Sequence, residues 1–207
     1  MTAVPAHLDR PPRVPEAPPD DAAVIRRSLD EPEAFTALYD RHAPAIHRYA
    51  AQRLGADAAD DLMAETFLIA FRKRRDYDLE RGNARPWLYG IVTRLIARHR
   101  RTEVSRYRLL QRLGGETAAE PVESEAKVSA QALRGPLAQA LATLPRAYRD
   151  TLLLVAWADL SYEETATALG VPVGTVRSRL SRARAKLRDA FGGIDPTGLD
   201  DEEDDRG

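Results

Sequence analysis

Apolar residues recur at helical spacing through two long stretches of this chain, about Ala22 to Arg101 and about Gly135 to Phe191, and strand-like alternation is nearly absent. That periodicity restricts the fold to the all-α class. Breaks at Gly55-Ala56-Asp57 and Arg81-Gly82-Asn83 divide the first stretch into separate helices. Between the stretches, residues 102–134 include "LGGETAAEPVESEAK", whose glycines, proline and acids with little periodicity read as a flexible linker. Residues 1–21 are rich in proline and poor in apolar groups, the makeup of a disordered arm, and residues 192–207 form an acidic tail. At 207 residues and 43% hydrophobic content, the chain supports two small cores better than one large one. The expected architecture is two small helical domains, 22–101 and 135–191, joined by a flexible linker.

Several function classes are excluded by what the sequence lacks. There is no cysteine, which removes disulfide frameworks and thiolate zinc sites and suits a reducing compartment. The N-terminus has no unbroken apolar run of the kind secretion needs, and no stretch approaches the roughly 18 apolar residues of a membrane span. A soluble cytoplasmic protein without membrane insertion is expected. His7, His42, His47 and His99 do not stand at ligand spacing, and Gly114-Gly115 and Gly192-Gly193 have no phosphate-binding frame. No catalytic residue, metal or cofactor is expected, so the chain does not read as an enzyme.

Charge is more informative in its distribution than in its total of -1. Phe71 to Arg101 holds ten bases and three acids, Thr175 to Arg188 holds six bases and no acid, and Asp195 to Gly207 holds seven acids against Arg206 alone. Two basic patches and an acidic tail emerge, a segregation that bears on the choice of partners.

The second basic segment has a definite local plan. Ser161 followed three residues later by Glu164 is a capping box, which starts a helix at Tyr162; Gly170 stops it after Leu169. A tight turn from Gly170 to Val173 follows, with Pro172 suited to the first turn of the next helix. This is a helix-turn-helix outline. At 100° per residue, Val176, Leu180, Ala183 and Leu187 form the inward stripe of the second helix. Ser178, Ser181, Arg182 and Ala185 lie opposite, with Arg177, Arg184 and Arg188 along one edge and Arg179 and Lys186 along the other. Small polar groups flanked by cations suit a helix in the DNA major groove, reading base edges at its centre and phosphates at its rims. The plainer alternative is a solvated arginine-rich face.

Two stretches of the first domain ask for a partner. In "DAADDLMAETFLIAFR", Asp57, Asp61 and Glu65 form an acidic stripe with Asp60 beside it, while Leu62, Met63, Phe67, Leu68, Ile69 and Phe71 spread around most of the helix. More apolar surface than one packed side needs suggests cover by a protein that is basic next to the acids; a central core helix with an acidic N-terminus is the competing explanation. In "RPWLYGIVTRLIARHRR", Leu88, Ile91, Val92 and Leu95 make a buried face, and Arg94, Arg98 and Arg101 a basic stripe. Such cations suit phosphate, and Tyr77 and Trp87 offer surfaces for unstacked bases. Buried scaffold is the commoner fate of aromatics, and the spacing favours it for Trp87.

The order "DDLMAETFLIAFR", "YDLERGNARPWLYGI", a basic helix, a linker and "LPRAYRDTLLLVAWADLSYEETATALGVPVGTVRSRLSRARAKLR" resembles an extracytoplasmic-function (ECF) sigma factor of the bacterial sigma-seventy family, over roughly Asp30–Arg101 and Leu137–Phe191. The resemblance implies a dissociable RNA polymerase subunit whose region 2 and region 4 domains direct the core enzyme to promoters and help melt them. It implies docking on core polymerase through Asp57, Asp60, Asp61, Leu62, Glu65 and Phe67. It implies contact with the minus-ten element through Tyr77, Trp87, Arg94, Arg98 and Arg101, and with the minus-thirty-five element through Thr175, Arg177, Ser178, Ser181, Arg182, Arg184 and Lys186. A linker threaded through the polymerase and an anti-sigma protein as a further partner are also implied. Arg94 stands where the family commonly has Asn, and Thr165 where it often has Ile. A stand-alone helix-turn-helix regulator is the alternative reading; it would act as a symmetric dimer on a palindromic site.

Overall fold

The computed structural model describes residues 20–112 and 136–190. The Pro-rich arm before Asp20, most of the expected linker and the acidic tail lie outside the described residues. All regular structure among the described residues is helical. The first unit contains α1 (Asp21–Arg27), α2 (Thr36–Leu54), α3 (Ala56–Lys73) and α4 (Arg85–Arg112); the second contains α5 (Pro136–Thr143), α6 (Arg146–Ala156), α7 (Tyr162–Leu169) and α8 (Val173–Ala190).

In the first unit α2, α3 and α4 pack on one another around Leu38, Ile46, Leu62, Phe67, Leu88, Val92 and Ile96, all buried. Gly55, at φ 92°, ends α2 and lets α3 begin one residue later, a left-handed corner that suits glycine. α1 is capped by Asp20, whose carboxylate accepts the Ala23 N–H at 2.7 Å, and it buries Val24 and Ile25. α4 is longer than the sequence suggested. It continues from Arg101 to Arg112, into the segment expected as linker. Residues 102–112 contain neither glycine nor proline and hold good helix formers, and the Gly114-Gly115 pair comes only after them.

In the second unit α6 and α7 both pack on α8, enclosing Leu152, Leu154, Leu160, Ala166, Val176, Leu180 and Leu187. The capping box of α7 is complete: Ser161 Oγ accepts the Glu164 N–H at 3.1 Å, and Glu164 Oε2 accepts the Ser161 N–H at 2.9 Å. Gly170 is left-handed at φ 67° and closes α7, with Val171 N–H donating to Ala166 O and Gly170 N–H to Thr167 O. That pattern satisfies two of the carbonyls a helix end leaves open. Pro172 falls one residue earlier than expected. It precedes α8, and its carbonyl accepts from Thr175 and Val176.

The two units pack against each other, α7 across α4, so that one apolar core runs through both. A buried ion pair crosses the junction, Arg53 Nη2 to Asp150 Oδ1 at 2.6 Å.

Candidate nucleic-acid interface

α8 carries the faces its periodicity predicts. Val176, Leu180, Ala183 and Leu187 are each at most 1% exposed, whereas Arg177, Ser178, Ser181, Arg182, Ala185 and Lys186 are open. Thr175 and Arg179 are half-buried at the margins. Arg182 donates to the Tyr148 hydroxyl at 3.4 Å, and Ser178 Oγ to the Thr175 carbonyl at 3.1 Å. Arg184 is the correction. Placed at a rim by its angle, it is 8% exposed, because its long stem follows the inward stripe one residue after Ala183.

On α3, Asp57, Asp60 and Asp61 are exposed, while Leu62 and Phe67 are buried in the first unit's core. The apolar excess on this helix survives as Leu68, 48% exposed, and a second exposed apolar side chain, Tyr39 at 39%, stands edge-on to the neighbouring Phe67 at 4.9 Å. Tyr39 carries no signal in the local sequence, since α2 brings it against α3. Asp60 lies 3.3 Å from His47. Glu65, expected with the acidic stripe, meets Arg98, expected with the basic one, at 2.5 Å; they join α3 to α4 at the seam between the two surfaces.

Around the start of α4 the structure gathers Tyr77, Trp87 and Arg94. They border a cavity of about 440 Å³ whose other wall is α7, through Glu163, Glu164 and Thr167. Arg98 and Arg101 lie further along α4, both exposed. The two aromatic rings tilt together with centroids 4.9 Å apart. The spacing favours burial for Trp87, which is instead half-buried, while Tyr77, for which it favours neither outcome, is 7% exposed. Tyr77 donates its hydroxyl to the Arg81 carbonyl, and burial together with the Asp21 charge pushes its pKa up to about 12. It therefore stays protonated and keeps that bond throughout the neutral range.

The loop between Tyr77 and α4 is held from α1, a support the sequence does not reveal. Asp21 accepts the Ala84 N–H at 2.8 Å and contacts His42 at 2.8 Å and Arg41, while its own N–H donates to Gly82 O at 3.1 Å. Burial works against the carboxylate charge, but the bonds from His42, Ala84 and Arg41 outweigh it, leaving the Asp21 pKa below its ordinary value.

Known proteins agree with this geometry. The Sigma-70 region 2 pattern matches residues 38–106 and the Sigma-70 region 4 pattern residues 134–187. The ECF RNA polymerase sigma factor SigE of Mycolicibacterium smegmatis is 34% identical over 179 residues, covering 84% of this chain and 69% of that protein. Among solved structures, that of CnrH in complex with the cytosolic domain of CnrY aligns with a TM-score of 0.58 at 26% identity, over 83% of this chain and 97% of CnrH. The sigma factor RpoE in complex with the anti-sigma factor NepR from Bartonella quintana aligns at 0.54 and 26%, over 76% and 96%. The chain belongs to the ECF RNA polymerase sigma factors of the sigma-70 family. It is a non-enzymatic polymerase subunit that binds the core enzyme and DNA and directs transcription initiation. Among the described residues no helix is long and apolar enough to cross a membrane.

Proposed function

We propose that three surfaces divide this work. The exposed acids of α3, Asp57, Asp60 and Asp61, with Leu68 and Tyr39 beside them, dock on core polymerase. The start of α4 and the loop from Tyr77 to Ala84 take the minus-ten element, with Trp87 and Arg94 at the pocket and Arg98 and Arg101 following the backbone. The outer face of α8 reads the minus-thirty-five element. Residues 22–101 and 135–191 are the two functional domains, with α4 continuing past the first toward the linker. An anti-sigma protein is a further partner, by likeness to RpoE, and the site of action is the cytoplasm.

The observation that carries this reading is the outer face of α8, where Ser178, Ser181 and Arg182 stand open above a fully buried stripe, with Arg177 and Lys186 at the edges. A bidentate base contact by Arg182 is worth about 1–3 kcal/mol of discrimination. A single phosphate contact by Lys186 adds about one unit to the salt slope. In run-off transcription and binding titrations with core polymerase, Arg182→Ala is expected to relax preference at the minus-thirty-five element. Lys186→Ala is expected to weaken all sequences about equally and flatten the salt dependence. Identical profiles for the two variants would overturn the assignment of faces. A symmetric dimer that binds DNA tightly without polymerase would favour the stand-alone regulator.

A further inference from the structure

The segment from Tyr77 to Ala84, assigned above to the minus-ten element, is neither helix nor strand, and Asp78, Glu80, Arg81, Gly82 and Asn83 in it are exposed. Fixing such a segment is costly, because each ordered residue gives up backbone freedom. Its first half is shaped from within: the Arg81 N–H donates to the Asp78 carbonyl at 3.0 Å, and the Tyr77 hydroxyl to the Arg81 carbonyl. Its second half is held by α1. Asp21, the first residue of that helix, accepts the Ala84 N–H on Oδ2 at 2.8 Å and donates its own N–H to the Gly82 carbonyl at 3.1 Å. One residue thus bonds the main chain on both sides of Asn83. Asn83 Oδ1 in turn accepts the Arg85 N–H at 2.9 Å, an Asx turn that leads directly into α4. At the other end of α1, the Ser28 carbonyl accepts Arg74 Nε at 3.2 Å, just after α3. α1 therefore braces the segment from the end of α3 to the start of α4.

The bracing carboxylate is itself fixed. Its Oδ2 also meets His42 Nε2 at 2.8 Å, and its Oδ1 accepts from Arg41 Nη1. Both partners stand on α2, so a single side chain registers the loop on the core of the first unit. Asp21 is 4% exposed and Ala84 fully buried. A buried anion touches neither phosphate nor base, so any influence of Asp21 on DNA passes through the main chain it holds. That main chain leads to Trp87, three residues after Ala84, in the first turn of α4, where the Ala84 carbonyl accepts the Leu88 N–H at 3.0 Å.

We infer that Asp21 is a positioning residue for minus-ten recognition: through Gly82 and Ala84 it holds the loop, and with it Trp87, in the conformation that receives the single strand. This rests on the minus-ten assignment above. A loop held in advance spares the strand the cost of ordering it, whereas a loose loop is ordered at the expense of affinity. The effect is specific to the strand, because the bonds of Asp21 run to α2 and the loop, while the exposed acids stand on α3 and the minus-thirty-five face on α8.

The test uses the full chain bound to core polymerase. Asp21→Ala removes the acceptor for Ala84. Asp21→Glu keeps the charge but displaces the carboxylate by one methylene, and so tests the same point in a chain that retains its buried anion. Asp21→Asn keeps an acceptor for the Ala84 N–H and loses the charge. Trp87→Ala removes the aromatic surface itself. Each complex is titrated with a labelled single-stranded minus-ten oligonucleotide and with a minus-thirty-five duplex; competition reads affinity for core polymerase, and amide hydrogen exchange reads residues 78–84. Asp21→Ala and Asp21→Glu are expected to bind the strand roughly tenfold more weakly, with faster exchange across the loop and with duplex and core affinities unchanged. Asp21→Asn is expected to recover most of the lost strand affinity, although its fold is less stable. Strand, duplex and core affinities that fall together would mean a structural role alone and would overturn the proposal. Full strand affinity in Asp21→Ala and Asp21→Glu, with a loss in Trp87→Ala, would overturn it too and leave the minus-ten assignment standing. Full strand affinity in Trp87→Ala as well would overturn that assignment, and the positioning role with it.

Discussion

Single side chains show where this sequence departs from an unstrained solution. Thr165 is fully buried in α7, and its hydroxyl finds no hydrogen-bond partner among the described residues. A buried hydroxyl without a partner keeps its desolvation cost. Thr165→Val, which keeps the shape and removes the oxygen, should stabilise the protein by about 1 kcal/mol, seen as a melting temperature raised by a few degrees. Asp21 is the opposite case, a buried polar group with every oxygen used. Asp21→Asn replaces an acceptor by a donor facing Arg41 and His42, and should cost about 2 kcal/mol at neutral pH. Because the folded-state pKa of Asp21 is depressed, its stabilisation is complete above the ordinary carboxylate value of 3.8 and is lost as pH falls through the lower folded value. Denaturation curves of the two proteins should therefore converge in acid below that range and stay apart above it.

At the scale of elements, legibility followed locality. The limits of α7 and the buried stripe of α8 were readable because a capping box, a left-handed glycine and a 3.6-residue period are encoded by neighbours in sequence. The continuation of α4 to Arg112 is hidden in the composition of the whole segment, which the glycines, proline and acids beyond Arg112 dominate. On α3 the acidic stripe was legible, but its partition was not. Glu65 turns toward Arg98 on α4, leaving Asp57, Asp60 and Asp61 as the outward set, and only packing determines that division. Asp61 is exposed and away from the buried side of α3. Asp61→Arg should lower affinity for core polymerase by tenfold or more in competition assays while leaving helicity and melting unchanged. Equal affinity with intact fold would remove α3 from the polymerase surface.

Across the whole molecule, what sequence could not supply was the meeting of the two units. Arg53 and Asp150 lie far apart in the chain, and nothing near either residue marks it for burial; Gly90, a glycine inside a strongly helical stretch, was the one local sign of a close approach. Burial works against the Arg53 charge, but Tyr49 and Asp150 more than offset it, so its pKa is raised and the guanidinium keeps its charge. A buried pair gains little over an apolar contact of the same volume, yet removing one partner costs about 3–5 kcal/mol. Arg53→Met or Asp150→Leu alone should therefore separate the units, and the double substitution should bring them together again. The radius of gyration of the three variants checks this. Because α4 and α7 belong to one polypeptide, their encounter is unimolecular, and its equilibrium is independent of how much of the protein a cell makes. Raising abundance multiplies seated and separated copies in equal proportion. A shift toward the separated form requires a ligand that binds it preferentially.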